Sequence, residues 1–310
     1  MSYLEDRYIN PLTDFGFKKL FGTEVNKFLL IDFLNQILPS EHQIRDLRYS
    51  HNEHLGHLDA DRKAIFDLYC SGNSGEKFIV EVQKAKQNFF KDRSVYYASF
   101  PIQEQAKKGN WDYQLKAVYT IGILDFIFDE HKADEELLHM VELKNQRCEV
   151  FYDKLKFIYL ELPKFKKTES ELESHFDKWL YVFRHLSNLQ DRPKALQEKI
   201  FEQLFEAAEI AKFTPKEREV YEENLKHYRD LKNVVDTSKE EGVTEGRIEG
   251  RIEGRIEGRK EGRKEGRKEG IIEGRNKRNI EIAIEMKNNG EAIDKIIRYT
   301  GLSQEEIDAL

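Results

Sequence analysis

Three polar side chains interrupt apolar, strand-like runs. Asp67 breaks Ile65-Phe-Asp-Leu-Tyr69, and Glu81 and Gln83 break Phe78-Ile-Val-Glu-Val-Gln83. Residues i and i+2 of a strand share a face, so Glu81 and Gln83 project together. The turn-rich stretch Ser71-Gly-Asn-Ser-Gly-Glu76 between the runs predicts a β-hairpin. With its centre near Asn73/Ser74, Asp67 falls opposite residue 80 or 81. Two neighbouring acids repel unless a cation lies between them. Asp67 and Glu81 are therefore the candidate ligands of a hard divalent cation, Mg²⁺ with Mn²⁺ as its substitute. Mg²⁺ is held loosely by carboxylates and keeps several waters. It can make a water nucleophilic and neutralise a leaving oxygen, which are the two requirements of phosphodiester hydrolysis. Acids on half-exposed strands are more commonly the solvated face of an antiparallel sheet, and spacing alone leaves that reading ahead.

The elements that must position these groups can be read in part. Residues 12–38 predict a helix capped by Thr13 or Asp14, with Gly22 a place where it can divide. Residues 39–62 read as polar and irregular. After the hairpin come a helix over roughly 88–107 and a buried strand at 117–124. A further strand is expected between Phe151 and Leu162, with Leu155, Phe157 and Tyr159, and Leu160 as a further candidate, facing inward. Helical periodicity then runs from about 170 to 235. This order predicts a mixed α/β sandwich.

The chain has 310 residues, 39% hydrophobic and 35% charged, with 20 Phe and 14 Tyr concentrated before position 230. That places the core in the N-terminal two-thirds. Cys70 and Cys148 lack disulfide partners and metal-ligand spacing, which suits a reducing, cytoplasmic setting, and both read as small buried residues. No apolar run reaches the roughly 18–20 residues of a membrane span. The start, MSYLEDRYINP, has no secretory pattern. The net charge of −7 does not advertise a nucleic-acid binder. Residues 239–275 carry 11 Lys/Arg and 10 Asp/Glu, or +1, which leaves −8 elsewhere.

Six ordered motifs carry a resemblance: NPLTDFGFKKLFG (10–22), AIFDLYC (64–70), FIVEVQ (78–83), DRSVYYAS (92–99), ILDFIF (123–128) and IYLELPKF (158–165). Together they resemble the Rpn family of recombination-promoting nucleases, also described as PD-(D/E)XK family transposases, over about residues 8–235. The resemblance implies an α/β fold: a restriction-endonuclease-like mixed sheet flanked by helices, with a helical C-terminal extension. It implies a Mg²⁺-dependent DNA endonuclease that promotes recombination or transposition, with no small-molecule cofactor. By position, the family's core Asp is Asp67 and its E-x-Q pair is Glu81 and Gln83. Asp14 matches its first-helix acid, and Arg93 and Tyr97 match positions flanking the site. The wider superfamily has Lys where Gln83 stands; Gln can orient water but brings no charge. A catalytically weak DNA- or protein-binding module is therefore the alternative.

Lys84, Lys86, Lys91, Lys107 and Lys108 are the candidate DNA contacts, with Trp111 as a stacking surface. Lys84 is expected on the face opposite Gln83. His51, His54 and His57, three apart, could suggest a zinc site, but a solvated loop is the better reading. Asp59 and Asp61 suit a turn, and Asp125 and Glu161 suit local structural roles.

The sequence divides at 1–235, 236–275 and 276–310. The middle segment repeats Glu-Gly-Arg-Ile or Glu-Gly-Arg-Lys and holds nine of the 18 glycines. Glycine at every fourth place, with Glu four from Glu and Arg four from Arg, predicts a poor isolated helix. Pairing of two copies, Gly stripes close and Glu stripe against Arg/Lys stripe, would repair it. A flexible spacer is the alternative. The last segment predicts short helices, with Gly290 and Gly301 as C-caps and Ser303 with Glu306 as a capping box.

Overall fold

The computed structural model describes residues 6–50, 53–54, 64–106, 109 and 111–310. His51, His57, Asp59, Asp61, Lys107 and Lys108 lie outside these residues. The chain forms two compact units, Met1–Asp236 and Thr237–Leu310.

The first unit opens with α1 (Asp14–Phe21), capped by Thr13, whose hydroxyl accepts the Gly16 N–H. The predicted helix divides after Gly22, and α2 (Lys27–Ile37) follows a short 3₁₀ turn. The stretch expected to be irregular holds β1 (Leu47–Tyr49) and β2 (Glu53–His54). The first hairpin arm is split. Its start, β3 (Ala64–Ile65), pairs with β2, and only β4 (Leu68–Gly72) pairs with β5 (Lys77–Gln83). Gly75, at φ +94°, takes the left-handed turn conformation that closes this hairpin.

Helix α3 (Phe90–Gln103) leads to β6 (Val118–Leu124), which is buried at all seven positions, as suits a central strand. Then come β7 (Leu138–Lys144) and β8 (Val150–Glu161). The six-stranded sheet has the order β1-β4-β5-β6-β8-β7. Strands β5, β6 and β8 run parallel, and the pairs β1–β4, β4–β5 and β7–β8 are antiparallel.

Side-chain alternation divides the core between the two faces of this sheet. Phe78, Val80, Tyr119, Ile121, Ile158 and Leu160 join the main cluster with α1, α2, α4 (His175–His185) and α5 (Lys199–Ala208). On the other face Ile79 packs with Phe66, Tyr69 and the α3 residues Tyr97 and Phe100. Val118, Leu124, Phe157 and Tyr159 pack there with Phe90 and Ala98 of α3. Strand β8 is thus buried on both faces, through Phe157 and Tyr159 on one and Ile158 with the expected Leu160 on the other.

Cys70 is buried as expected, whereas Cys148 is exposed at φ +61° in the turn joining β7 to β8. Asp125 accepts the Tyr228 hydroxyl at 2.8 Å, which ties the helix carrying Tyr228 to the end of β6, and Glu161 accepts the Phe128 N–H at 2.8 Å, which ties the loop after β6 to the end of β8. No helix among the described residues is long and apolar enough to cross a membrane.

Helix α6 (Pro215–Asn288) buries Tyr221 and Tyr228 in the first unit's core. Its later part, including the whole repeat, is helical and exposed, against the expectation of a poor helix. Glu257–Lys260, Glu261–Lys264 and Glu265–Lys268 are spaced three apart, a favourable pairing that offsets some of the glycine cost. In the second unit, α7 (Ile293–Thr300) ends at Gly301 in the left-handed conformation, and α8 (Gln304–Asp308) starts from a Ser303–Glu306 capping box. Ala283, Ile296 and Ile307 form its small core.

Candidate active site

The β4–β5 ladder pairs Leu68 with Val80 and Tyr69 with Ile79. Extending that register by one residue sets Asp67 opposite Glu81, on the face that α3 covers. The ladder itself stops at Leu68, because the chain bends at Asp67. In its place, Oδ2 of Asp67 accepts the Val82 N–H at 2.8 Å. A side-chain oxygen does the work of a ladder carbonyl, which fixes the carboxylate against β5.

Glu81 is 13% exposed. Burial, with the neighbouring charge of Asp67, pushes its carboxyl up to about 8, and Arg93 only partly opposes this. The Asp67 carboxyl is also raised, first by burial and then by Asp14, while the Val82 N–H, Lys18 and Lys84 pull the other way. Asp14 begins α1 and is paired with Lys18 at 2.8 Å. Asp67 and Glu81 thus meet where burial resists their charge, with the exposed Asp14 near enough to act on Asp67.

Arg93, one turn into α3, bridges the site. Nη2 donates to Oε1 of Gln83 at 2.6 Å and stands 3.8 Å from Oε2 of Glu81. Nη1 donates to Gln87, and the guanidinium lies over the rings of Phe90 and Tyr97 at 5.3 and 5.7 Å. Gln83 also donates from Nε2 to the Ala85 carbonyl at 3.1 Å, so its amide is held at both ends. Arg93 places a positive charge beside the neutral amide of Gln83. Burial raises the Tyr97 hydroxyl's pKa, and the nearby Glu81 adds to this.

The lysines are placed differently from a free basic surface. Lys84 is half-buried, with its ammonium 5.6 Å from the Tyr228 ring centre. Burial lowers its pKa against the pull of Asp14 and Asp67, so its charge serves the acids although the residue lies past the end of β5. Lys86 pairs with Asp129 and Lys91 with Glu130. Trp111 stacks with the exposed Tyr113 at 4.8 Å.

One neighbour went unseen in the sequence. The rows of the parallel strands align Glu81 with Gly122 and Tyr159. A Cβ on Gly122 would stand 3.1 Å from the Tyr159 ring, so the glycine makes room for that ring. Burial raises the Tyr159 hydroxyl's pKa, which Ser94 opposes by hydrogen bonding and the Glu81 charge reinforces. The sole glycine in Val118–Leu124 was the available signal.

A mixed six-stranded sheet flanked by helices is the α/β architecture of PD-(D/E)XK nucleases. The profile of the family described as PD-(D/E)XK nuclease family transposase matches residues 11–238, and the chain belongs to that family. No curated protein and no solved structure matches the chain.

Proposed function

We propose that this chain is a Mg²⁺-dependent DNA endonuclease whose centre is Asp67, Glu81 and Gln83. The observation that carries this reading is geometric: the β4–β5 register sets Asp67 opposite Glu81, with the Asp67 carboxylate fixed by the Val82 N–H, and burial raises the pKa of both carboxyls. Arg93 stands 3.8 Å from Glu81 and is hydrogen-bonded to two glutamines. Two neighbouring carboxylates repel, and a divalent ion bound between them would relieve both. An all-oxygen donor set also suits Mg²⁺ or Mn²⁺.

Asp67 and Glu81 would hold the ion, which when bound supplies a water of lowered pKa and charge for the leaving oxygen. Asp67 is kept in place by the Val82 N–H. Glu81 must lose its proton to act, so binding at neutral pH releases one. Gln83, clamped by Arg93 and the Ala85 carbonyl, is positioned to orient a water. Arg93 presents positive charge toward a phosphate.

The engaged amide of Gln83, the ion-paired Lys86 and Lys91 and the net charge of −7 favour a second reading, a catalytically weak DNA- or protein-binding module. Plasmid nicking with Mg²⁺, Mn²⁺, Ca²⁺ or EDTA, using wild type and Asp67→Ala, separates the two. Cleavage that persists in Asp67→Ala rejects the assigned centre. DNA binding without cleavage in wild type supports the second reading. We also propose self-association through 239–275, for which circular dichroism of that peptide over a concentration series is the test; helicity that does not rise with concentration rejects it.

A further inference from the structure

We propose that His131, His139 and Glu161 form a second metal site, for a borderline divalent ion of the Zn²⁺ class. Glu161 ends β8, and its row runs through Leu124 to Gln83. Two strand spacings separate it from β5, about 10 Å at the backbone, so it is distinct from the Asp67/Glu81 pair. His139 lies on β7 facing the same side, and His131 follows the loop after β6.

Nδ1 of His131 is 3.1 Å from one Glu161 oxygen, and Nε2 of His139 is 3.2 Å from the other. The two rings stack at 3.9 Å with 20° between their planes. One donor atom from each of the three residues lies within 4.8 Å of the others. The two imidazoles engage different oxygens, so a tetrahedral ion, whose bonds of about 2.0–2.2 Å set donors roughly 3.3 Å apart, would draw the three donors together from their present spacing.

The carboxylate is built in. Glu161 has no solvent exposure; one oxygen accepts the Phe128 N–H at 2.8 Å and the other the Lys164 ammonium at 2.8 Å. Each oxygen has a second acceptor position, on which the imidazoles now stand. Outer donors that fix a ligating carboxylate while leaving its inner side available are the usual support of a metal ligand. Two nitrogens and one oxygen select a transition ion over Mg²⁺. Both histidines line a cavity of about 730 Å³, whose wall includes Val95, Phe128, Val141 and Phe157. It opens beside α3, and gives a fourth coordination position access to water or a small ligand.

The test uses the full-length protein, stripped with EDTA and desalted, and titrated with Zn²⁺ against a chromophoric chelator. Wild type should bind about one equivalent at micromolar concentration or below, and His139→Gln should bind about 100-fold more weakly. Asp67→Ala should bind as wild type does, which separates this site from the candidate active site. A direct reading on wild type needs no variant: Zn²⁺ should protect His131 and His139 from carbethoxylation, as measured by mass spectrometry. Three results would each overturn the proposal. These are no stoichiometric Zn²⁺ binding by wild type, unchanged binding and no protection of these two residues, or binding lost only when His51, His54 and His57 are replaced by Ala.

Discussion

Glu81→Gln removes the charge that burial resists while keeping the side chain's shape, and its effect on stability can be worked out. The folded-state pKa of Glu81 is about 8 against an ordinary 4.5. The folded protein therefore keeps a proton that the unfolded chain gives up. The stability this contributes is complete below the unfolded value and is lost as pH rises through the folded one. At about 1.36 kcal/mol per pH unit, wild type should lose roughly 3 kcal/mol relative to Glu81→Gln between about pH 5.5 and pH 8.5. For a domain of this size that is a shift of roughly 6–12 °C in melting temperature. Thermal melts of both proteins in EDTA across this range are the assay, and their difference should grow with pH in favour of Glu81→Gln. Added Mg²⁺ should restore wild type at the alkaline end and leave the variant nearly unchanged. A difference between the two that stays flat with pH would refute the buried-acid argument.

Other perturbations follow from the same geometry. Asp67→Asn should lower Mg²⁺-dependent nicking by at least about 100-fold in single-turnover assays, since a metal ligand is lost. Arg93→Ala should release Gln83 and lower cleavage by roughly 10–100-fold, and Arg93→Lys should rescue little because the fork to Gln83 and Gln87 is lost; a wild-type rate in Arg93→Lys would refute the fork. Gly122→Ala should cost about 1–3 kcal/mol in a denaturant titration by crowding Tyr159 and Leu124. Ile296→Ala should lower amide-exchange protection in 283–307 by about 2–4 kcal/mol and leave the sheet unchanged.

The hairpin was legible because its turn residues and apolar arms repeat the chemistry of the structure directly, and β6 because a fully buried strand is apolar throughout. Strands β1 and β7 were not. Leu47–Tyr49 is three residues long, and Leu138–Lys144 mixes His, Glu and Lys with exposed Met140, Val141 and Leu143, as sheet edges do. Within the candidate site, strand spacing placed Glu81 with Gln83, and the turn's centre brought Asp67 near them. The bend that ends the ladder at Leu68 was invisible, since it depends on Asp67 capturing the Val82 N–H. The site roles of Arg93 and Asp14 came from resemblance alone. The contact of Lys84 with Tyr228 joins residues 144 positions apart, and the His131–His139–Glu161 cluster gathers three separate segments, so neither leaves a local pattern to read.

The carboxylate at the bend has a consequence for the order of assembly. Asp67 and Glu81 are 14 positions apart within one hairpin, and Arg93 follows on the next helix. Hairpins close in about 1–10 μs, far ahead of long-range sheet pairing. The mutually repelling acids therefore meet while most of the domain is still unstructured and solvent still screens them. Burial comes only later, when α3 and the parallel strands dock. An ion captured at the open stage would accelerate docking, and removing it would slow that step more than the first.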